Sequence, residues 1–343
     1  MNKLKLFLSI IVFSILTLNV NAQETFSKEF NKDYKVAKDA LLKLNNKYGN
    51  IECETWSQNK VSIKVVVEVY KMSQKKAESL LEKFDVEFSG TKDLVSATTK
   101  IEKLGRGNKS FSVNYYVKLP NTLKLNIMNK YGDVYLPSIK GSTDLTIKYG
   151  DLQIEKLLSA KNLITVKYGE LNADEINEAR IDFAYSDLSI DEINVLDLKS
   201  SYSEVSIDRV KDLELKTSFD DVEIDAVETL FSKASYSDVE IGYLKTKLDI
   251  VSNFGALSID RIDQGFESVV VDSDYAGVEL RFEDGSSFDL EVYVKYGDFH
   301  SRFKSDLNRE KLSHSSYRYT GKVGESAKSR VEINASFASV EIK

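Results

Sequence analysis

The chain has 343 residues, 42% of them hydrophobic, and a formal net charge of −7, which is enough apolar material for one elongated domain with a continuous core plus an added module. The negative charge is concentrated: residues 170–284 hold 29 acidic and 10 basic residues, a net −19, which disfavours nucleic acid or an anionic membrane surface as a partner there. Two histidines and one cysteine rule out a His-rich metal site and an internal disulfide, and they leave a Ser-His-Asp triad without a placed base.

The first predicted element is not part of the fold. Met1 to Lys5 is basic, Leu6 to Val20 is largely apolar and Asn19-Val-Asn-Ala22 offers a small-residue cleavage site, the pattern of a secretory signal spanning residues 1–22. No cysteine follows the apolar stretch, so a lipid-anchored mature terminus is not expected, and no second apolar run predicts a transmembrane segment in the mature chain. Loss of Lys3 and Lys5 leaves the mature chain outside residues 170–284 with a net charge of +10.

Residues 23–121 read as a first coil around Tyr48 followed by a β-rich capping module with one short helix. In that coil Cys53 takes a position occupied elsewhere by Ile154, Ile190 or Ile207, and Trp56 one occupied by Leu157 or Ile193. Both are therefore expected in the core. Val61 to Val69 alternates as a strand; Ser73 to Phe84 reads as a helix with Ser73 as N-cap and Ala77, Leu80, Leu81 and Phe84 on one side; strands follow at Val86 to Phe88, Leu94 to Ile101 and Phe111 to Leu119. A solenoid leaves unpaired strands at its ends, so covering one end is the expected role of this module.

From residue 122 to 300 one unit repeats. An aromatic is followed by a small residue, an acid and an aliphatic at Tyr131, Tyr149, Tyr168, Tyr185, Tyr202, Phe219, Tyr236 and Phe254, separated by 18, 19, 17, 17, 17, 17 and 18 residues. Further copies start at Tyr275, Tyr296 and Phe337. With the aromatic as position zero, apolar residues recur at −6, −4, 0, +3, +5 and +8, as in Leu196, Leu198, Tyr202, Val205, Ile207 and Val210. Steps of two mean strands with one buried face, and the slip of phase after zero, where Gly or Ser precedes Asp or Glu, means a corner. The expected fold is all-β: a single-stranded parallel β-helix or solenoid of 17–18-residue coils. About a dozen coils at roughly 4.8 Å per rung make a rod on the order of 55 Å long. Residues 301–343 are expected to form an irregular loop and a last coil.

Three columns run along the rod. The aromatic column shares the alternation of the −4 and −6 residues and is expected to be an internal stack, the alternative being an exposed platform for sugar rings. Acids line up at +2 (Asp133, Asp151, Glu170, Asp187, Glu204, Asp221, Asp238) and at +6 (Glu155, Asp174, Asp191, Asp208, Asp225, Asp260). Neighbouring carboxylates in such a column repel by roughly 0.9 kcal/mol even in water, so the column is either a set of solvated, turn-capping corners or a site for a divalent cation such as calcium, carried by Asp187, Glu204, Asp221 and Asp238. A third column, at −1, changes from Lys130, Lys148 and Lys167 to Ala184, Ser201, Ser218 and Ser235.

The order Asn46-Lys-Tyr-Gly-Asn-Ile51, Trp56, an alternating strand, a short helix, Val86-Glu-Phe88 and a second Asn129-Lys-Tyr-Gly-Asp-Val134 opening a repeat array resembles the exported bacterial putative-adhesin family with β-strand repeats, a domain of unknown function. The resemblance covers nearly all of the mature chain. It implies a β-solenoid at the cell envelope and brings no catalytic residues. The expected function is that of a non-enzymatic, adhesin-like binding or scaffold protein, exported to the periplasm or cell surface. Its repeat faces would contact a cell-surface polysaccharide or an envelope protein. A polysaccharide-processing β-helix enzyme and an envelope-stress sensor are the alternatives.

Overall fold

Alternation at steps of two selects the buried face. The computed structural model describes residues 25–104, 110–303, 307–325 and 328–343; the signal segment, residues 1–22, lies outside them. The described chain is nearly all-β, with strands hydrogen-bonded into one open, β-solenoid-like sheet and, among the described residues, a single helix at Gln74–Leu81. Strand pairing through the repeats is parallel, so like residues stack. Ile127, Leu145, Ile164, Ile181, Leu198 and Leu215 form one buried column, and Val134, Leu152, Leu171, Leu188, Val205 and Val222 another. The ladders are interrupted where the +6 acids sit: Ile190 pairs with Ile207 and Glu192 with Arg209, and Asp191 and Asp208 stand exposed between them. A charged residue at that break turns outward while the aliphatics on either side stay in the core.

The Tyr48 segment pairs on one side with the start of the array, strands Leu41–Lys47 and Ile51–Thr55 lying against Lys124–Lys130 and Val134–Leu136. On its other side lie Leu94–Ile101 and Phe111–Leu119. Antiparallel strands then extend the sheet: Phe84–Gly90 on Leu94–Ile101, Lys60–Tyr70 on Phe111–Leu119, and Thr25–Lys35 on Lys60–Tyr70.

Several local expectations are corrected. The helix ends at Leu81, and Phe84 opens the strand Phe84–Gly90 with its ring in the core. Ser73 occupies the N-cap position with extended backbone but makes no side-chain cap hydrogen bond. The strand Thr25–Lys35 is not legible in the sequence because its inward residues Phe26, Phe30 and Tyr34 recur every fourth residue and stay half-buried. Trp56 is half-buried at the rim; its indole Nε1 donates to the Lys60 carbonyl at 2.8 Å, and Lys60 lies over its ring. Cys53 is buried as expected, and burial pushes its thiol up to about 12.

The tail is less irregular than its composition suggests. Ser316–Val323 pairs antiparallel with Phe288–Lys295. The final strands are not last in space. Ser329–Ser336 inserts between Ser268–Phe282 and Phe288–Lys295, and Val340–Ile342 between Ser268–Phe282 and Phe299–Ser301. The polar residues here form strands because both neighbouring edges already offer unpaired backbone groups.

Candidate functional site: the aromatic ladder and its flanking charges

The aromatic column is on the outside. Tyr48, Tyr131, Tyr149, Tyr168, Tyr185, Tyr202, Phe219, Tyr236, Phe254, Tyr275, Phe337 and Tyr296 stack in that spatial order, with centroids 4.6–5.2 Å apart and planes within 18° of parallel. All but Tyr48 are exposed, by 41–55%. This overturns the internal-stack expectation, and the cause is the backbone. Each of the twelve has a left-handed φ between 52° and 69°, which throws the side chain out of the alternation that buries the −4 and −6 residues. Lys71 is the one other non-glycine residue with positive φ among those described.

Left-handed backbone costs about 1–2 kcal/mol per residue, and each stacked contact contributes about 0.5–1.5 kcal/mol. Stacking thus roughly offsets the strain. The rings' faces are consumed by one another, so solvent meets their edges and hydroxyls. A sugar ring has no open aromatic face to lie on along the ladder's length.

The doubled Asn-Lys-Tyr-Gly motif follows from the same corner. Asn46 and Asn129, two residues before the aromatic, point inward; Asn46 Nδ2 donates to the carbonyls of Gly49 and Val113, and Asn129 Nδ2 to those of Gly49 and Gly132. The glycine is needed for close approach, since a Cβ on Gly150 would sit 2.1 Å from the Gly132 carbonyl oxygen.

Two corner chemistries divide the array. In the early rungs the +2 side chain is part of the turn. The Asp133 amide donates to Asn50 Oδ1, the Asp151 amide to Asp133 Oδ1 and the Glu170 amide to Asp151 Oδ1, at 2.9–3.0 Å. Where serine replaces glycine at +1, its hydroxyl takes over as acceptor: the Gly169 amide donates to Ser186 Oγ, the Ser186 amide to Ser203 Oγ and the Asp220 amide to Ser237 Oγ. The +2 amides of Asp187, Asp221 and Asp238 then donate to backbone carbonyls of the preceding rung. The carboxylates of Asp187, Glu204, Asp221 and Asp238 are released to solvent, exposed and without a hydrogen bond or ion pair among the described residues. Turn capping therefore accounts for Asp133 and Asp151 and not for these four. Among the described residues no group of three or more His, Cys, Asp or Glu side chains is placed to hold a metal ion.

A shallow trough of about 620 Å³ runs between the ladder at Tyr202, Phe219 and Tyr236 and the acids Glu204, Asp221 and Asp238. On the early rungs the flank is basic: Lys47 lies 4.7 Å from the Tyr48 ring centre and 6.0 Å from that of Tyr131, and Lys130 lies 4.9 Å and 5.4 Å from those of Tyr131 and Tyr149.

In the +1 column, where the other rungs carry Gly, Ser or Ala, the Phe219 rung carries an acid. Asp220 is buried, accepting from the Thr217 hydroxyl and from the amides of Ser203 and Ser218. Burial raises its carboxyl above the usual range, against those hydrogen bonds. A carboxyl raised in the folded state favours folding when protonated and penalises it once the pH has risen through its folded pKa. Asp220→Asn should therefore remove this group's share of the pH dependence, so that the difference in thermal midpoint between variant and parent moves in the variant's favour as the pH rises through the acid range; a difference that does not change with pH would contradict this.

The fold and this corner define a class: an open, β-solenoid-like repeat protein that displays a stacked aromatic ribbon along one edge. The Toastrack DUF4097 family model matches residues 164–342, more than half of the chain, and the chain belongs to that family. No curated protein sequence matches it. Solved structures similar to it include a "putative adhesin" from Parabacteroides distasonis (14% identity, 74% of this chain and 96% of that one, TM-score 0.35). Another is a "putative cell adhesion protein" from Clostridium sporogenes (11%, 93% and 99%, TM-score 0.23). A "putative lipid binding protein" from Parabacteroides distasonis is similar at 7% identity over 92% and 96% of the chains, with TM-score 0.27.

Proposed function

We propose that this chain is an exported, non-enzymatic, adhesin-like binding or scaffold protein of the bacterial cell envelope, in the periplasm or at the cell surface, and that the aromatic ladder with its charged flanks is its contact surface. The chain winds as a single-stranded parallel β-helix of 17–18-residue coils over residues 122–300. Residues 23–121 supply a first coil and an N-terminal cap, and residues 301–343 close the other end. The observation that carries the reading is the ladder itself: a dozen large rings are held outward at a recurring backbone cost where a glycine would serve the turn. Strain repeated at one surface is a reason to look for function there. The hydroxyl edges suit hydrogen bonding to the hydroxyls of a cell-surface polysaccharide or to an envelope protein. The carboxylates stand in straight columns instead of converging on a point, which fits binding better than catalysis.

Equilibrium binding of the mature protein to purified envelope polysaccharides, beside a variant with Tyr185, Tyr202 and Tyr236 changed to Ala, tests this. Loss of at least tenfold in affinity is expected. Undiminished binding would move the surface to the N-terminal cap, and release of new reducing ends would favour a polysaccharide-processing enzyme. The calcium reading of Asp187, Glu204, Asp221 and Asp238 has its own check in thermal unfolding, because a ligand that binds only the native state raises its midpoint. With the four carboxylates solvated, millimolar calcium should leave the midpoint where an ionic-strength-matched sodium control puts it. A rise of several degrees, absent when the four are changed to Asn or Gln, would make the column a cation site.

A further inference from the structure

Over its first eight rungs, Tyr48 to Tyr236, the ladder is one continuous ribbon with a basic and an acidic half; the last four rungs carry Asn253, Asp274, Ser336 and Lys295 at −1. The rungs of Tyr48, Tyr131, Tyr149 and Tyr168 carry Lys47, Lys130, Lys148 and Lys167 beside the ring, whereas those of Tyr185, Tyr202, Phe219 and Tyr236 carry Ala184, Ser201, Ser218 and Ser235 there and the unpaired acids Asp187, Glu204, Asp221 and Asp238 on the other flank. The acids of the basic half are engaged locally. Asp133 and Asp151 accept backbone amides and Glu170 accepts from Asn172 Nδ2. Among the described residues, only Lys167 of the four lysines has an acidic partner, Asp182 at 3.6 Å. The same asymmetry holds for the whole chain, with −19 over residues 170–284 and a positive balance elsewhere.

We infer that the ladder docks against the ladder of a second copy of this chain, running antiparallel, so that the lysine-flanked half of each copy meets the acid-flanked half of the other. Two observations single out a second copy. Its rungs repeat at the same spacing, so contacts stay in step over many rungs, which an extended peptide at about 3.4 Å per residue would not achieve. Its charge order is complementary when reversed. A two-fold axis between the Tyr168 and Tyr185 rungs sets the Lys167, Lys148, Lys130 and Lys47 rungs opposite those of Asp187, Glu204, Asp221 and Asp238, and because such an axis keeps each flank on its own side, the opposed charges attract across the width of the ring strip and not through direct ion pairs. Each pair then occurs twice, and the contact closes on itself as an isologous dimer. Eight rungs at about 4.8 Å make a strip roughly 40 Å long, so the buried area falls at the small end for specific interfaces and the dimer is a salt-sensitive one. The self-association rests on the ladder being a contact surface, as proposed above, and not on any envelope ligand.

Light scattering on the eluting mature protein tests it without substitution: the mass of two chains is expected at about 0.05 M salt and that of one chain at about 0.5 M. Two charge-exchange variants then identify the surface. The variant with Lys47, Lys130, Lys148 and Lys167 changed to Glu, and the variant with Asp187, Glu204, Asp221 and Asp238 changed to Lys, should each be monomeric alone and should form a heterodimer when mixed at low salt. A single-chain mass for the unsubstituted protein at low salt overturns the inference, as does a charge variant that still dimerises alone. A mass above two chains overturns the closed antiparallel register. Polysaccharide binding by the monomer at high salt would survive any of these failures, which separates them from a failure of the functional reading.

Discussion

Leu198→Ala should destabilise the protein by about 2–5 kcal/mol, the cost of deleting a large aliphatic from a core that cannot collapse around the void. Leu198 is fully buried and lies in register between Ile181 and Leu215, so its methyls are covered by the rung on either side as well as by its own. In a stacked array each unit is held by its neighbours, and weakening an interior rung weakens two interfaces at once. Urea unfolding of the variant gives the magnitude, and the slope reports whether the array still unfolds as one unit. Leu163 is the matched control. It is 53% exposed and points away from the core, so Leu163→Ala should stay within about 0.5 kcal/mol of the parent. Equal effects at the two positions would mean that the buried columns are not what holds the rungs together.

The second large effect concerns the ladder, and its sign is the informative part. Tyr202 stacks on Tyr185 and Phe219, both at 4.9 Å, from a backbone with φ of 54°. Tyr202→Ala removes both stacked contacts and keeps the left-handed backbone, for an expected loss of about 1–3 kcal/mol. Tyr202→Gly removes the same contacts but relieves the backbone, and should be more stable than the alanine variant by about 1 kcal/mol. That ordering is the reverse of the usual one in a strand, where glycine is the worse residue. Denaturation of the two variants side by side decides it, and a glycine variant no better than alanine would place the cost of the corner somewhere other than φ. The comparison also bears on function. If the glycine variant approaches the parent in stability, the ring at that position is not required by the fold, and its retention points to contact with a partner.

The buried columns were legible in the sequence because side-chain direction in a strand depends on parity alone. Once Leu196, Leu198, Val205, Ile207 and Val210 recur at fixed spacing, each has a defined inward place, and the structure buries all of them. The aromatic is the instructive exception. By parity Tyr202 belongs with Leu198, but parity presumes extended backbone, and one residue with positive φ resets it. The signal was present in the phase slip after the aromatic; what was missing was knowledge that the slip begins at the ring itself. The role of the +2 acids was illegible for a different reason. Asp151 and Asp187 occupy equivalent positions, and the first accepts an amide while the second accepts none, because Ser186 one residue earlier changes which group faces the neighbouring rung. The amide that the Ser186 hydroxyl accepts from, Gly169, is 17 positions away in the chain and one rung away in space.

By itself, then, the sequence determined the all-β class, the repeat, the inward aliphatic columns and the division of charge along the chain, since these follow from local alternation and composition. Tertiary structure alone decided that the aromatics form an outer ribbon, that four acids are left unpaired and that Ser329–Ser336 slides between two earlier strands. Those outcomes depend on backbone angles at the corners and on which rungs come to lie side by side, and neither is written in any single segment.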